Sequence, residues 1–183
     1  PKDIMAGYNV MSLEIVNQLP RKKIPTHIFL QGGVGSFPGS ICSYFWEKFQ
    51  SKNIKIIIVE SEHAPCLIQS AKNNKMTSVS VNQETMMAGL SCGEPSMLAW
   101  EILSQGADDF VTISDQSIPL TMRMLNENNP PIEAGESSVA GLVALTEIMK
   151  NKSIASKLEL NSSSLVLLFG TEGATDPAIY NTI

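Results

Sequence analysis

Two histidines and three cysteines are all the imidazole and thiol that this 183-residue chain offers. His27 and His63 cannot build a metal site without carboxylate or thiolate help, and Cys42, Cys66 and Cys92 have neither CxxC nor zinc-type spacing. The expectation is three reduced, mostly buried thiols and no metal centre. Positive charge is also scarce: 13 Lys and Arg against 18 Asp and Glu leave a net charge of -5. Such a surface has no field to hold a polyanion, so nucleic acid is not an expected partner. The longest apolar runs, "IKIIIVE" and "LVLLFG", are far too short to cross a bilayer, and "PKDIMAGYNVM" lacks the basic, apolar and small-residue order of a signal peptide. The expectation is a cytoplasmic protein with no membrane partner. There is no internal repeat and no low-complexity segment.

What remains is an ordinary globular composition, 43% hydrophobic and 17% charged, in a length that suits one domain. Tyr8, Met11, Ile15 and Leu19 fall near one face of a helix over residues 5–19, which Pro20 and the basic turn 21–23 close. "THIFL" (26–30) and "NIKIIIVE" (53–60) are β-prone runs with little alternation, as expected of strands covered on both faces. Between them Phe37, Ile41, Phe45 and Phe49 form a helical stripe, so the unit reads as a right-handed βαβ crossover. Helices follow near 64–72, 94–104 and 116–125, with a strand at 108–114. A last helix carries Val139, Leu142, Val143 and Met149, with Ala140 and Ala144 allowing close packing, before a strand at 164–170. Four buried strands separated by helices predict an α/β fold with an open, mostly parallel sheet and helices on both faces. Too few strands are present for a comfortable two-faced sheet, which suggests a piece of something larger.

The most pointed local signal is "HIFLQGGVGSFPGS", where a strand runs into three glycines and then a helix. In open α/β sheets ligands sit beyond the carboxyl ends of strands, where a helix N-terminus presents unpaired N–H groups to an anion. Gly32, Gly33 and Gly35 let the backbone bend and approach a phosphate, and Ser36 can cap the helix or donate its hydroxyl. Neither familiar phosphate loop matches: a GxGxxG starting at Gly33 meets Pro38, and no GK[ST] occurs. A tight turn with a helix packed behind it accounts for the glycines equally well.

Five segments, "PTHIFLQGGVGSFPGS", "IIIVESEHAPCL", "ETMMAGLSCGEPS", "EAGESS" and "LFGTEGATD", occur in this order over essentially the whole chain. Together they resemble the diaminopropionate ammonia-lyases, pyridoxal-phosphate enzymes of the tryptophan synthase β and threonine dehydratase fold group, also called fold type II. The resemblance implies that residues 1–183 are one α/β unit, the C-terminal portion of a larger enzyme and part of its large domain. It assigns Gly32, Gly33, Val34, Gly35 and Ser36 to the cofactor phosphate and Thr171 to the pyridine nitrogen. A neutral hydroxyl there would leave that nitrogen unprotonated, a weaker electron sink suited to β-elimination. Ala88 and Gly89 are implied beside the cofactor ring, Glu94 at the rim and Glu136 near the cofactor. Glu94 followed by Pro95 is also a good helix start, Glu136 could simply favour a helix dipole, and Thr171 could merely turn the chain.

Some relatives of this fold bind a divalent cation through a Glu after the second strand, a carbonyl four residues on and an Asp six residues on. Glu60 fits the first place, but the sixth is Cys66, a poor ligand for a hard cation, so no metal is expected. The lysine that carries the cofactor in such enzymes has no matching motif here, since Lys2, Lys22 and Lys23 lie in polar or loop contexts. That lysine and the acid and base carboxylates are expected upstream of Pro1, so no catalytic residue is assigned and the chain alone is expected to be inactive. For the intact parent the resemblance implies a homodimer that catabolises an amino acid, eliminating ammonia from 2,3-diaminopropionate to give pyruvate. A serine or threonine dehydratase-like lyase, or a non-catalytic anion-binding or dimerisation module, are the alternatives.

Overall fold

A computed structural model describes residues 2–20, 23–50, 53–180 and 182–183, without the side chain of Ile179. Lys22 and most of the basic turn therefore lie outside the described residues. The chain runs α1 (Lys2–Gln18), β1 (His27–Gln31), α2 (Ser36–Phe49), β2 (Lys55–Ser61), α3 (Cys66–Asn73), α4 (Met97–Gly106), β3 (Asp109–Ile113), α5 (Ile118–Asn126), α6 (Ala140–Lys150), α7 (Lys152–Lys157), β4 (Val166–Leu167) and α8 (Pro177–Tyr180). Short 3-10 turns at Ala88–Leu90 and Asp115–Ser117 interrupt the loops before α4 and α5.

All strand pairs are parallel, in the order β3-β2-β1-β4. Alternate side chains of a strand point to opposite faces, and here both faces are dry. Ile28, Leu30, Ile56 and Ile58 join Phe37, Ile41, Phe45, Leu67 and Leu103 on one side, against which α1 also packs. Phe29, Ile57 and Val59 join Val139, Val143, Ala144 and Ile148 on the other. Each such side chain, fully buried, contributes about 1.5–3 kcal/mol, which explains the uninterrupted apolar runs of β1 and β2.

The expectation of four buried strands holds only for the central pair. β3 is mostly half-exposed, and β4 covers two residues instead of seven. β4 pairs only Val166 and Leu167 with His27 and Ile28, and beyond them the two strands part. In the gap the Gln31 side chain, not a backbone amide, donates to the Phe169 carbonyl (3.1 Å). In the last long helix Ile148 faces the core and Met149 faces outward at 50% exposure, one position off the expected stripe. Helix α4 begins at Met97 with Ser96 as its cap residue, so Glu94 and Pro95 precede it rather than start it. No helix among the described residues is long and apolar enough to cross a membrane.

His27 is buried, with Nε2 2.8 Å from the Leu158 carbonyl and Nδ1 2.8 Å from Thr26 Oγ1, the bonding of a structural histidine. The three cysteines are free thiols, two buried and Cys92 half-buried, and burial raises all three pKa values, those of Cys42 and Cys66 to about 12. Among the described residues no group of three or more His, Cys, Asp or Glu could hold a metal ion.

Candidate functional site

The sheet order places β1 at the point where the chain first winds outward through β2 to β3 and then returns to add β4 on the other side. That reversal is where open α/β sheets leave a crevice at the strands' carboxyl ends. A cavity of about 490 Å³ lies there, formed by the loops after β1 and β4 and by the segment around Gly89.

The loop after β1 needs its glycines for three different reasons. A Cβ on Gly32 would lie 2.6 Å from Glu60 Cγ. Gly33 has φ +64° and its Cβ would meet the Gly89 carbonyl at 3.1 Å. Gly35 has φ +93°, caps α2, and would press on Ala99, Leu103 and Leu67. The left-handed turn lifts the chain so that α2 starts at Ser36 with its N-terminus at the cavity. The amides of Gly33, Ser36 and Phe37 donate to no protein acceptor among the described residues. Helix-end amides of this kind, with the positive end of the helix dipole, suit an anion. Among the described residues no Lys, Arg or His lines the cavity, so the peptide groups are its positive charge.

Glu60 lies beneath this loop at 1% exposure, where its two oxygens accept from the Leu67 amide (2.8 Å) and the Ile68 amide (2.7 Å) at the start of α3. Burial pushes its carboxyl up to about 7, against the lowering effect of those two amides and of the Cys66 thiol. The carboxylate that resembled a cation ligand is thus a helix cap.

Of the residues read from the sequence, Gly32, Gly33, Val34, Ser36, Gly89 and Thr171 line the cavity. Gly35, Ala88, Glu94 and Glu136 are not in its lining: Gly35 packs on the core, Ala88 and Glu94 are exposed, and Glu136 is half-exposed. The neighbour of Glu136, Ser137, lines the cavity instead. Tyr8 and Phe37 add an edge-to-face aromatic wall at 5.3 Å between ring centres. Glu172 ties the two far loops together, its Oε2 accepting from the Ser137 amide (2.9 Å) and its carbonyl from the Gly135 amide (2.9 Å).

Sequence reasoning passed over Gln31 and Ser137. Both are buried, and Gln31 Oε1 and Ser137 Oγ have no hydrogen-bond partner. Buried polar atoms are seldom left so, and both residues line this one cavity. The signal for Gln31 was present: an amide side chain closing a strand that is otherwise apolar, directly before the glycines.

A family model described as "Pyridoxal-phosphate dependent enzyme" matches residues 1–170. Diaminopropionate ammonia-lyase of Salmonella typhimurium is 39% identical over 194 residues, covering 100% of this chain and 48% of that protein. The Escherichia coli enzyme of the same name is 37% identical over 190 residues, again 100% of this chain and 48% of that one. The crystal structure of the Escherichia coli enzyme with an aminoacrylate-PLP azomethine reaction intermediate superposes with a TM-score of 0.88 at 36% identity, covering 97% of this chain and 46% of that one. Maize serine racemase, at 19% identity and a TM-score of 0.76 over 97% of this chain and 51% of that one, shares the fold. This chain spans about half the length of the curated relatives it matches. With its parallel sheet, glycine turn and crevice at the strand reversal, it belongs to the pyridoxal-phosphate-dependent enzymes of fold type II.

Proposed function

We propose that this chain forms the phosphate and ring-nitrogen side of a lyase site, in a protein that eliminates ammonia from 2,3-diaminopropionate and yields pyruvate and ammonia. The observation that carries the reading is one cavity bounded by the unpaired amides after β1 and the Thr171 hydroxyl after β4. The residues fit the cofactor: a Cβ on Gly33 would intrude between the loop and the Gly89 segment that lines the cradle, and Gln31 and Ser137, each with an orphaned polar atom, border it. Gly33, Ser36 and Phe37 amides would bind the phosphate, with Gly32, Val34 and Gly35 shaping its loop, Gly89 would flank the ring, and Thr171 would meet its nitrogen. When bound, pyridoxal phosphate supplies an electron sink that acidifies the substrate Cα proton and allows the β-amino group to depart.

The aromatic wall of Tyr8 and Phe37 keeps water off one side, and Glu172 holds Ser137 and the Thr171 loop in register. No lysine lines the cavity among the described residues. We therefore assign the cofactor-bearing lysine and the proton-transferring carboxylates to a further segment of the complete protein, which this reading takes to be a cytoplasmic homodimer.

The test is to express the complete protein, measure pyridoxal phosphate binding by phosphorus NMR, and assay pyruvate from both isomers of diaminopropionate and from serine. The expected result is binding at the glycine loop and faster turnover of diaminopropionate than of serine. Turnover of serine alone would favour a dehydratase, and no binding would leave an anion-free scaffold.

A further inference from the structure

We propose that Gln31 is a positioning residue that sets the proton direction of the Thr171 hydroxyl, and through it the protonation state of the cofactor ring nitrogen. The proposal rests on the reading above that Thr171 meets that nitrogen. It starts from the place where β1 and β4 part. There the Gln31 side-chain nitrogen donates both to the Phe169 carbonyl (3.1 Å) and to Thr171 Oγ1 (3.0 Å).

The Phe169 carbonyl decides how the amide is turned. A peptide oxygen can only accept, so the nitrogen of Gln31, not its oxygen, must face it. The second proton on that nitrogen then points at Thr171, whose oxygen must receive it. A threonine hydroxyl has one proton and two lone pairs. With one lone pair engaged by Gln31, its own proton is left to donate elsewhere, and no protein atom among the described residues accepts it. A ligand acceptor would complete the chain.

A ring nitrogen with a free lone pair is such an acceptor. A protonated nitrogen would compete with Gln31 as a donor to the same oxygen and leave the hydroxyl proton without a partner. The unsatisfied Gln31 Oε1 fits this account. The amide is held by what its nitrogen does, at the expense of its buried oxygen.

Gln31 lies at 4% exposure, in the last position of β1, next to the first cradle glycine. One strand end thus sets both the phosphate seat and the ring-nitrogen contact.

The experiment loads the complete protein with pyridoxal phosphate labelled with nitrogen-15 in the ring, and reads the ring shift against pH. In the wild-type protein the nitrogen should stand in the neutral-pyridine range at neutral pH. Gln31→Met removes the donor and should raise the pH of half-protonation by about one unit, a tenfold change in proton affinity. Gln31→Leu, which also lacks the donor, should raise it to a similar extent. In a Thr171→Ala background the Gln31→Met substitution should have no further effect.

A wild-type nitrogen that is already pyridinium at neutral pH would overturn the proposal. So would Gln31 variants that bind the cofactor with a wild-type shift, or an effect that persists without Thr171. If both variants fail to fold, the Gln31 side-chain amide protons of the wild type decide. They should be protected from exchange and move on cofactor binding, and fast exchange would refute the idea. Absence of any phosphorus signal from bound cofactor in the wild type would instead overturn the site reading and this proposal with it.

Discussion

Gly33 stands at φ +64° with the Gly89 carbonyl 3.1 Å from where a methyl group would go, whereas Gly170 has nothing within 4 Å. The contrast gives a matched pair of substitutions. Gly33→Ala should destabilise by about 1–2 kcal/mol for the left-handed backbone alone and lower phosphate or cofactor affinity at least about tenfold. Gly170→Ala, measured the same way by calorimetry, should leave binding unchanged. Equal effects at the two positions would mean that the loop is not the seat. Ser137 offers a second check, because its hydroxyl is buried without a partner. Ser137→Ala should leave the ligand-free protein as stable or more so, and weaken cofactor binding by about 1 kcal/mol. If instead thermal unfolding shows the ligand-free protein losing stability, the hydroxyl serves the fold. Both glycine and serine were in plain view in the sequence, yet only the glycines spoke there. A positive φ restricts residue type, while an orphaned hydroxyl is defined by neighbours such as Gly89 and Glu172 that lie far away in the chain.

Helix α3 depends on a carboxylate from another element. Glu60, at the end of β2, holds the Leu67 and Ile68 amides, and Glu60→Ala should cost about 1–2 kcal/mol as those amides lose their acceptor. Its folded pKa of about 7 lies above the ordinary value of 4.5. The group's favourable contribution is therefore complete below pH 4.5 and is lost as pH rises through 7. Denaturant unfolding across that window should show wild-type stability falling, with the fall removed in Glu60→Gln; parallel profiles would show that Glu60 titrates normally. Such a cap across elements is not legible in a sequence, since positions 60 and 67 meet only once the βα turn is built. β1, β2 and the stripe of α2 were legible, because burial on both faces or along one face imposes composition directly. β4 was not, for its apolar run "LVLLFG" gives no sign that Gln31 intercepts the ladder after two residues. The short helix α7 escaped too, its sequence "KSIASK" being too polar and brief to show a period.

Across the whole molecule, two dry layers share one two-strand spine. Phe29 and Ile57 of that spine are fully buried on the side that α6 covers, and Gly141 of α6 would place a Cβ 3.3 Å from Phe29. Amide exchange should accordingly be slowest in β1 and β2 and markedly faster in β4, where only two residues pair. Comparable protection across all four strands would contradict this division. Ile57→Ala should cost about 2–5 kcal/mol. The sheet's reversal point, which this spine holds rigid, is also where the cavity opens, so stability and ligand seat draw on the same strands.

Among the described residues the cradle after β1 has no basic side chain in its wall; its positive character is that of peptide bonds alone. A receptor made of main chain is indifferent to most amino-acid replacement around it. Chains of very different composition can carry the same seat, and it fails only when a bulkier residue intrudes on the turn or the helix behind it shifts. Because its pull on an anion comes from aligned dipoles at short range, it should discriminate by the shape and size of a tetrahedral group, and changing charges elsewhere on the surface should scarcely alter its grip.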